Sequence, residues 1–379
     1  MRRFKIRHSA LDESLSKTTV RRQRRAVALW LLLCMAYLIW CYVRWEKRRE
    51  EKAGGAAEPR TVTIPQPVKQ EFPLMGGFAE IILVAPPGKD AEALITGARN
   101  EMTRLESIMN DHDPKSFVSR LNDLPPSTPL RVRPEEAEVL DVLESARRIS
   151  ELSGGAFDIT FASVGRFWDF DPNHPRLPTR EEIEKTLPKI DYRRVVVDRT
   201  TSSVLIVGEE TRIGLGGIAE GTAADKAVTY LRSQGVSSAL VNVSGDMFAL
   251  GEKAPGVPWE IGLQDPRDKS RLLFRIALKD RAIATSGDYE KSFIIDGKRY
   301  HHILDPRTGM PTRGLISVTV LHPKAETADA LATTIFVLGP KTGLELAEKL
   351  PDVEAILIDE NEKIVVTSGL KNVFREVLK

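Results

Sequence analysis

The sequence predicts an α+β fold: one large domain behind an N-terminal membrane anchor. Three observations predict it. Short apolar runs recur in neighbouring pairs separated by turn residues, as antiparallel strands require. Amphipathic helical stretches stand between those pairs without strict βαβ alternation. An uncharged run near the N-terminus is long enough to reach across a bilayer.

The N-terminal elements come first. Residues 1–25 carry nine Lys and Arg against two acids, so the chain's near-neutral balance of +2 hides a strong local asymmetry. "AVALWLLLCMAYLIWCYV" follows at 26–43, with Trp30, Trp40, Tyr42 and Trp45 placed for the interfaces, and reads as a transmembrane signal anchor over 26–44. A cleaved signal peptide is the rival reading. Against it, the run is long for such a peptide, and "VRWEKRRE" follows where a small-x-small cleavage site would stand. No lipobox precedes Cys34, since Leu33 occupies the position that needs a small residue. The flank before the run is net +7 and "RWEKRREEK" after it is net +2, so the positive-inside rule keeps 1–25 cytoplasmic. Everything after about residue 45 then lies on the periplasmic face of an inner membrane. A basic tail abutting a span is a topology signal, and nucleic acid is not expected as a partner. Cys34 and Cys41 both fall in the run, which excludes thiol catalysis and cysteine zinc sites from the rest of the chain.

Residues 45–71 are charged and then rich in Ala, Gly and Pro, a linker composition, and the domain is expected over 72–379. "GGFAEIILVA" (76–85) predicts a strand. Residues 90–110 predict a helix, with Ala91, Leu94, Ile95, Ala98, Met102, Leu105 and Ile108 on one stripe. Residues 134–155 predict a second helix, opened by Pro134 and closed by Gly154. Strand pairs follow: "RRVVVD" with "SSVLIV", "SALVNVS" with "MFALG", and "WEIGLQD" with "RLLFRIAL". A strand at 315–321, helices at 325–339 and 340–350, the pair "EAILID" and "KIVVTS", and a short terminal helix complete the pattern.

Five segments carry possible chemistry, each with an ordinary alternative. "RIGLGGIAEGTAADKAVTYLRSQG" (212–235) is a glycine-rich turn entering a helix, suited to phosphate or to a tight connection. It matches neither the P-loop nor the spaced dinucleotide fingerprint. Asp329 and Thr333 share a helix face at i and i+4, which suits a hard cation or a helix-terminal charge beside a core threonine. "AIATSGDYEKSF" (282–293) is either a phosphate or ribose contact or plain turn chemistry. "SGGAFDIT" (153–160) offers Phe157 for stacking and Asp158 as a carboxylate, or is a helix cap. "HHILDPRTGMP" (301–311) is a rigid turned loop with two histidines, either of which could be structural or a general base near neutral pKa.

In this order, "LMGGFAEI", "LESIMNDHDPKSFVSRLN", "SGGAFDIT", "GGIAEGTAADKA", "ALVNVSGDMFALG", "WEIGLQDP", "AIATSGDYEK", "YHHILDPRTGMP" and "TADALATTIFVLG" resemble the ApbE family of FAD:protein FMN transferases, over about 72–350. The resemblance implies an ApbE-type catalytic domain that cleaves FAD with Mg²⁺. FMN passes through a phosphoester to a threonine of an acceptor flavoprotein in a membrane-linked redox complex, and AMP is released. It implies Asp329, Thr333 and the carbonyl of Gly217 as metal ligands and His302 as the base, with His301 structural. Met75, His112, Ala156, Phe157, Asp158, Glu220 and Ile303 fall where family members contact FAD. FAD hydrolysis to FMN and AMP, or a non-catalytic role in flavin binding or redox assembly, are the alternatives. The chain departs from the family pattern at several positions: "MGG" for "MGT", His112 for an aromatic residue, Phe117 for glutamate, Gly214 for an acidic residue and Glu220 for the frequent lysine.

Overall fold

The computed structural model describes residues 35, 37–47, 66–372 and 375–376. The chain divides into two units, Met1–Ile64 and Pro65–Lys379. In the first, 37–47 are helical, with the Arg44 guanidinium 4.7 Å from the centre of the Trp40 ring. Residues 1–34, which hold the basic tail and half of the expected anchor, lie outside the described residues. Among those described, no helix is long and apolar enough to cross a membrane.

The second unit is built on an eight-stranded sheet in which chain order and spatial order coincide. Its strands are β1 (Val68–Leu74), β2 (Gly77–Leu83), β3 (Ala239–Val243), β4 (Asp246–Leu250), β5 (Arg281–Gly287), β6 (Leu315–His322), β7 (Glu354–Asp359) and β8 (Ile364–Val366). Every neighbouring pair is antiparallel. The central strands read as nearly continuous apolar runs because both faces of the sheet are covered. Ala239, Val241 and Val243 face a core shared with helices, whereas Leu240 between them faces another. The first core is closed by α1 (Ala91–Met109), α3 (Ala219–Ser233) and α4 (Ala325–Lys349), the second by a three-stranded sheet that includes Trp259–Gln264 and Leu272–Leu278. A third core gathers Leu105, Ile108, α2 (Glu138–Leu152) and the hairpin of Val195–Asp198 with Ser203–Ile206. Phe117, a departure from the family pattern, is fully buried there.

The α+β reading, the stripe on α1 and the strand pairs agree with this architecture, with two differences. First, β1 begins at Val68, inside the stretch read as linker. Only Phe72 and Leu74 of this edge strand are buried, so charge and Pro73 masked its alternation. Second, the expected terminal helix is replaced by a 3₁₀ turn, Ser368–Asn372, followed by Arg375–Glu376 paired as a strand with Arg275 and Phe274. The two helices expected at 325–339 and 340–350 are also met: α4 is two helices meeting at Gly339, whose φ of 79° only glycine adopts freely, next to Pro340.

Candidate active site

Four elements bring the candidate residues together. The turn before α3 places Gly217 against α4. A Cβ at 217 would lie 3.4 Å from Thr333 Oγ1 and 3.3 Å from the Phe157 ring, so the missing side chain leaves room where three candidate residues meet. The Gly221 N–H, one of the first-turn donors that α3 cannot use internally, donates to Asp329 Oδ2 at 3.1 Å. Ser286, at the end of β5, lies 3.3 Å from Thr333, hydroxyl to hydroxyl. The Asp225 carboxylate receives the N–H groups of Ala325 and Glu326 at 2.9 and 3.1 Å, which fixes the start of α4 and hence the positions of Asp329 and Thr333.

Asp246, at the head of β4, completes the group, and the sequence reading missed it. Its carboxyl is buried and accepts from the Thr285 N–H at 3.3 Å. Burial pushes both carboxyls well above the ordinary range; repulsion from Asp329 and Glu220 adds to it at Asp246, and repulsion from Glu220 adds to it at Asp329. Burial also raises Glu220 to about 7, against the opposing pull of Lys291. Among the described residues, none of these three carboxyls has a Lys or Arg ion-pair partner. The donor set is hydroxyl, carbonyl and carboxylate, all hard oxygen ligands, and it lacks positive charge, so it fits a hard divalent cation. No three His, Cys, Asp or Glu side chains among the described residues enclose a metal by themselves. The set presumes further oxygens from backbone, water or substrate.

The two adjacent histidines differ sharply. A hairpin, Ser292–Ile295 with Lys298–His301, turns at Asp296 and Gly297, both at positive φ as an Asp-Gly turn favours. His301 ends it, buried edge-on to Phe336. Its Nε2 donates to the Thr312 carbonyl at 3.1 Å and its Nδ1 accepts from the Ile303 N–H at 3.3 Å, so both nitrogens are committed. His302 is tied only through its backbone, whose N–H donates to the Lys291 carbonyl at 3.1 Å, and its Nδ1 is buried without a partner. Burial, with Lys291 and His301 adding positive charge, lowers His302 to about 4. The near-neutral value expected from sequence is thus corrected, because burial of the ring comes from distant segments.

The flavin-side residues are placed unevenly. Met75 turns β1 into β2 at a φ of 51° and donates its N–H to Glu106 Oε1 at 2.7 Å. Ala156, Phe157 and Ile303 are buried. The Asp158 carboxylate receives the Thr160 N–H and hydroxyl at 2.8 and 2.6 Å and the Tyr192 N–H at 2.8 Å, which braces the turn after α2. The His112 side chain is 92% exposed with its Nε2 3.7 Å from Asp111, and its N–H donates to Asn110 Oδ1 at 2.9 Å. At Gly214, where the family pattern has an acidic residue, a Cβ would lie 3.4 Å from the Asp111 carboxylate. A carboxylate therefore reaches this corner from another element.

A family model, the ApbE family, matches residues 75–357, which include every one of these positions. The chain belongs to the ApbE family. Among ApbE relatives, an FAD:protein FMN transferase of Vibrio cholerae is 33% identical over 306 residues, covering 79% of this chain and 90% of its own. One from Treponema pallidum is 30% identical, covering 75% and 82%. The crystal structure of the ApbE protein of Thermotoga maritima superimposes with a TM-score of 0.76 at 33% identity, covering 82% of this chain and all of its own. The flavin transferase ApbE of Vibrio cholerae gives 0.72 at 30%, covering 81% and 99%. The α+β domain is thus an ApbE-type domain.

Proposed function

We propose that this protein is a Mg²⁺-dependent FAD:protein FMN transferase. The contrast between the paired histidines carries the proposal. His301 has spent both ring nitrogens on the loop, whereas His302 presents a buried, neutral, unpartnered Nδ1. A lone acceptor nitrogen in a buried site is costly unless a donor arrives, and the hydroxyl of an acceptor threonine is such a donor. As that oxygen bonds to the phosphorus on the FMN side of the FAD pyrophosphate, the bond to the AMP oxygen breaks and the hydroxyl proton passes to His302. The negative charge of a bound pyrophosphate raises the His302 pKa from its low value toward neutrality, strengthening the base when substrate is in place.

A divalent cation, when bound, supplies charge neutralisation at the pyrophosphate. Asp329, Thr333 and the Gly217 carbonyl would hold it. Asp225 and Gly221 position Asp329, and the buried walls of Phe157, Ala156 and Ile303 exclude water from the flavin side. The uncharged run at 26–43 and its flanks support an inner-membrane anchor with the domain on the periplasmic side, where an acceptor flavoprotein of a membrane-linked redox complex would meet it. The test mixes purified protein, FAD, Mg²⁺ and a verified threonine-bearing acceptor, then looks for covalent in-gel flavin fluorescence. Fluorescence that needs all components, and that His302→Asn abolishes, is expected. AMP release equally fast without acceptor and with no labelled protein would overturn transfer in favour of FAD hydrolysis.

A further inference from the structure

We propose that Ser244 is an FAD-binding residue, supplying from the β3–β4 turn the hydroxyl that the family pattern carries at position 77. The inference rests on the reading above that FAD is the substrate. The turn consists of Ser244 and Gly245, closed by the pairing of Val243 with Asp246. On the other side β3 pairs with β2, Val243 opposite Ala79, and the Ser244 N–H donates to the Phe78 carbonyl at 2.9 Å. The turn of Met75 and Gly76 therefore stands beside that of Ser244 and Gly245, at one end of the sheet. The same end carries Asp246 and its donor Thr285, and Ser286 joins it to Thr333.

Three observations single out Ser244. Its Oγ is buried without a hydrogen-bond partner among the described residues. A hydroxyl can rotate toward any nearby acceptor, so a buried one left over marks a missing partner. The Glu220 carboxyl feels this hydroxyl but stands outside hydrogen-bond geometry. Second, its φ of 52° lies in the left-handed region, where a two-residue hairpin turn favours asparagine, aspartate or glycine. Third, a Cβ at Gly77 would overlap the Ser244 Oγ and lie 3.4 Å from its Cβ. Ser244 thus fills the volume that a threonine at 77 would enter, and "MGG" for "MGT" loses a side chain but not a hydroxyl. Filling space is the weaker reading. Alanine at 244 would do so at the same φ without burying an unpaired hydroxyl.

FAD binding to the full-length protein, without Mg²⁺ or acceptor, is titrated by flavin fluorescence, and melting temperature is measured without flavin. Ser244→Ala is expected to weaken FAD binding about tenfold, the worth of one hydrogen bond. The flavin-free variant should melt no lower than wild type, because an unpaired buried hydroxyl has gone. Gly77→Thr combined with Ser244→Gly should bind FAD within about threefold of wild type, since a threonine hydroxyl enters the vacated volume. Unchanged FAD affinity in Ser244→Ala overturns the proposal, as does a weakened affinity with a lower flavin-free melting temperature, which marks a structural role. A double variant that binds FAD no better than Ser244→Gly alone overturns it, as does a wild type that binds no FAD. Where Ser244→Ala yields no folded protein, Ser244→Gly is read by the same criteria. FAD binding that depends on Ser244 in a protein that transfers no FMN would refute the proposed activity and leave this inference standing.

Discussion

Gly221→Ala perturbs the site without touching a reacting group. A Cβ at 221 would stand 2.3 Å from the Ala325 carbonyl oxygen, 2.6 Å from its carbon and 2.8 Å from the Glu326 nitrogen. All three are backbone atoms, so no side chain can swing away. Reaching ordinary van der Waals separation requires α3 and α4 to part by roughly 1 Å. Asp329 lies one turn beyond Ala325 and moves with it, away from its Gly221 donor. Two effects compete. Alanine raises helix propensity by up to about 1 kcal/mol, whereas overpacking of this kind costs about 1–3 kcal/mol. The clash wins, and at about 2–4 °C per kcal/mol the melting temperature falls by a few degrees. Misplacement by about 1 Å costs on the order of 100-fold in rate. The assays are thermal unfolding and single-turnover FMN transfer. Gly165→Ala serves as control, since its Cβ would meet only the Phe161 ring at ordinary contact distance. A Gly221→Ala protein with wild-type melting temperature and transfer rate would refute the view that close helix approach sets the site.

Other outcomes follow from the same geometry. The His302 pKa is lowered from 6.5 to about 4, so its stabilising contribution is complete above 6.5 and is lost as pH falls through 4. Relative to His302→Asn, the wild type should lose on the order of 3 kcal/mol between pH 7 and pH 4, measured by urea unfolding of both proteins; an unchanged difference contradicts the buried neutral ring. Asp225→Ala removes the acceptor for two N–H groups at the start of α4 and should cost about 1–2 kcal/mol, with a fall in transfer rate, whereas Asp225→Asn should recover part of both. Arg267→Ala breaks the paired bonds of 2.7 and 2.8 Å to Asp288, leaving that largely buried carboxylate only Arg299 Nε at 3.9 Å. A loss of about 1–3 kcal/mol is expected, read as a lower melting temperature.

The sequence made the scaffold legible wherever local pattern and burial agree. The stripe on α1 and the two-faced burial of β3 and β6 leave signatures within a few residues. Asp329, Thr333 and His302 were found through motif order, and the structure brings the first two together with Gly217. Asp246 was not found, because an aspartate after Ser-Gly reads as turn chemistry until β5 and α4 are folded around it. The low pKa of His302 and the closeness of Gly221 to Ala325 are likewise tertiary properties, set by segments distant in sequence. The split roles of His301 and His302 illustrate the same limit, since nothing local distinguishes adjacent imidazoles, and only the Thr312 carbonyl and Ile303 amide assign one of them to structure.

The coincidence of chain order and sheet order governs the timing of assembly. β1 and β2 leave the ribosome as a hairpin, but the partner of β2 is β3, about 155 residues later. At about 5–20 residues per second, that edge waits roughly 10–30 s. Asp329 and Thr333 arrive after roughly another 90 residues. A nascent chain therefore holds its glycine-rich turn and histidine hairpin before its cation corner exists. Flavin chemistry is withheld until synthesis is nearly complete.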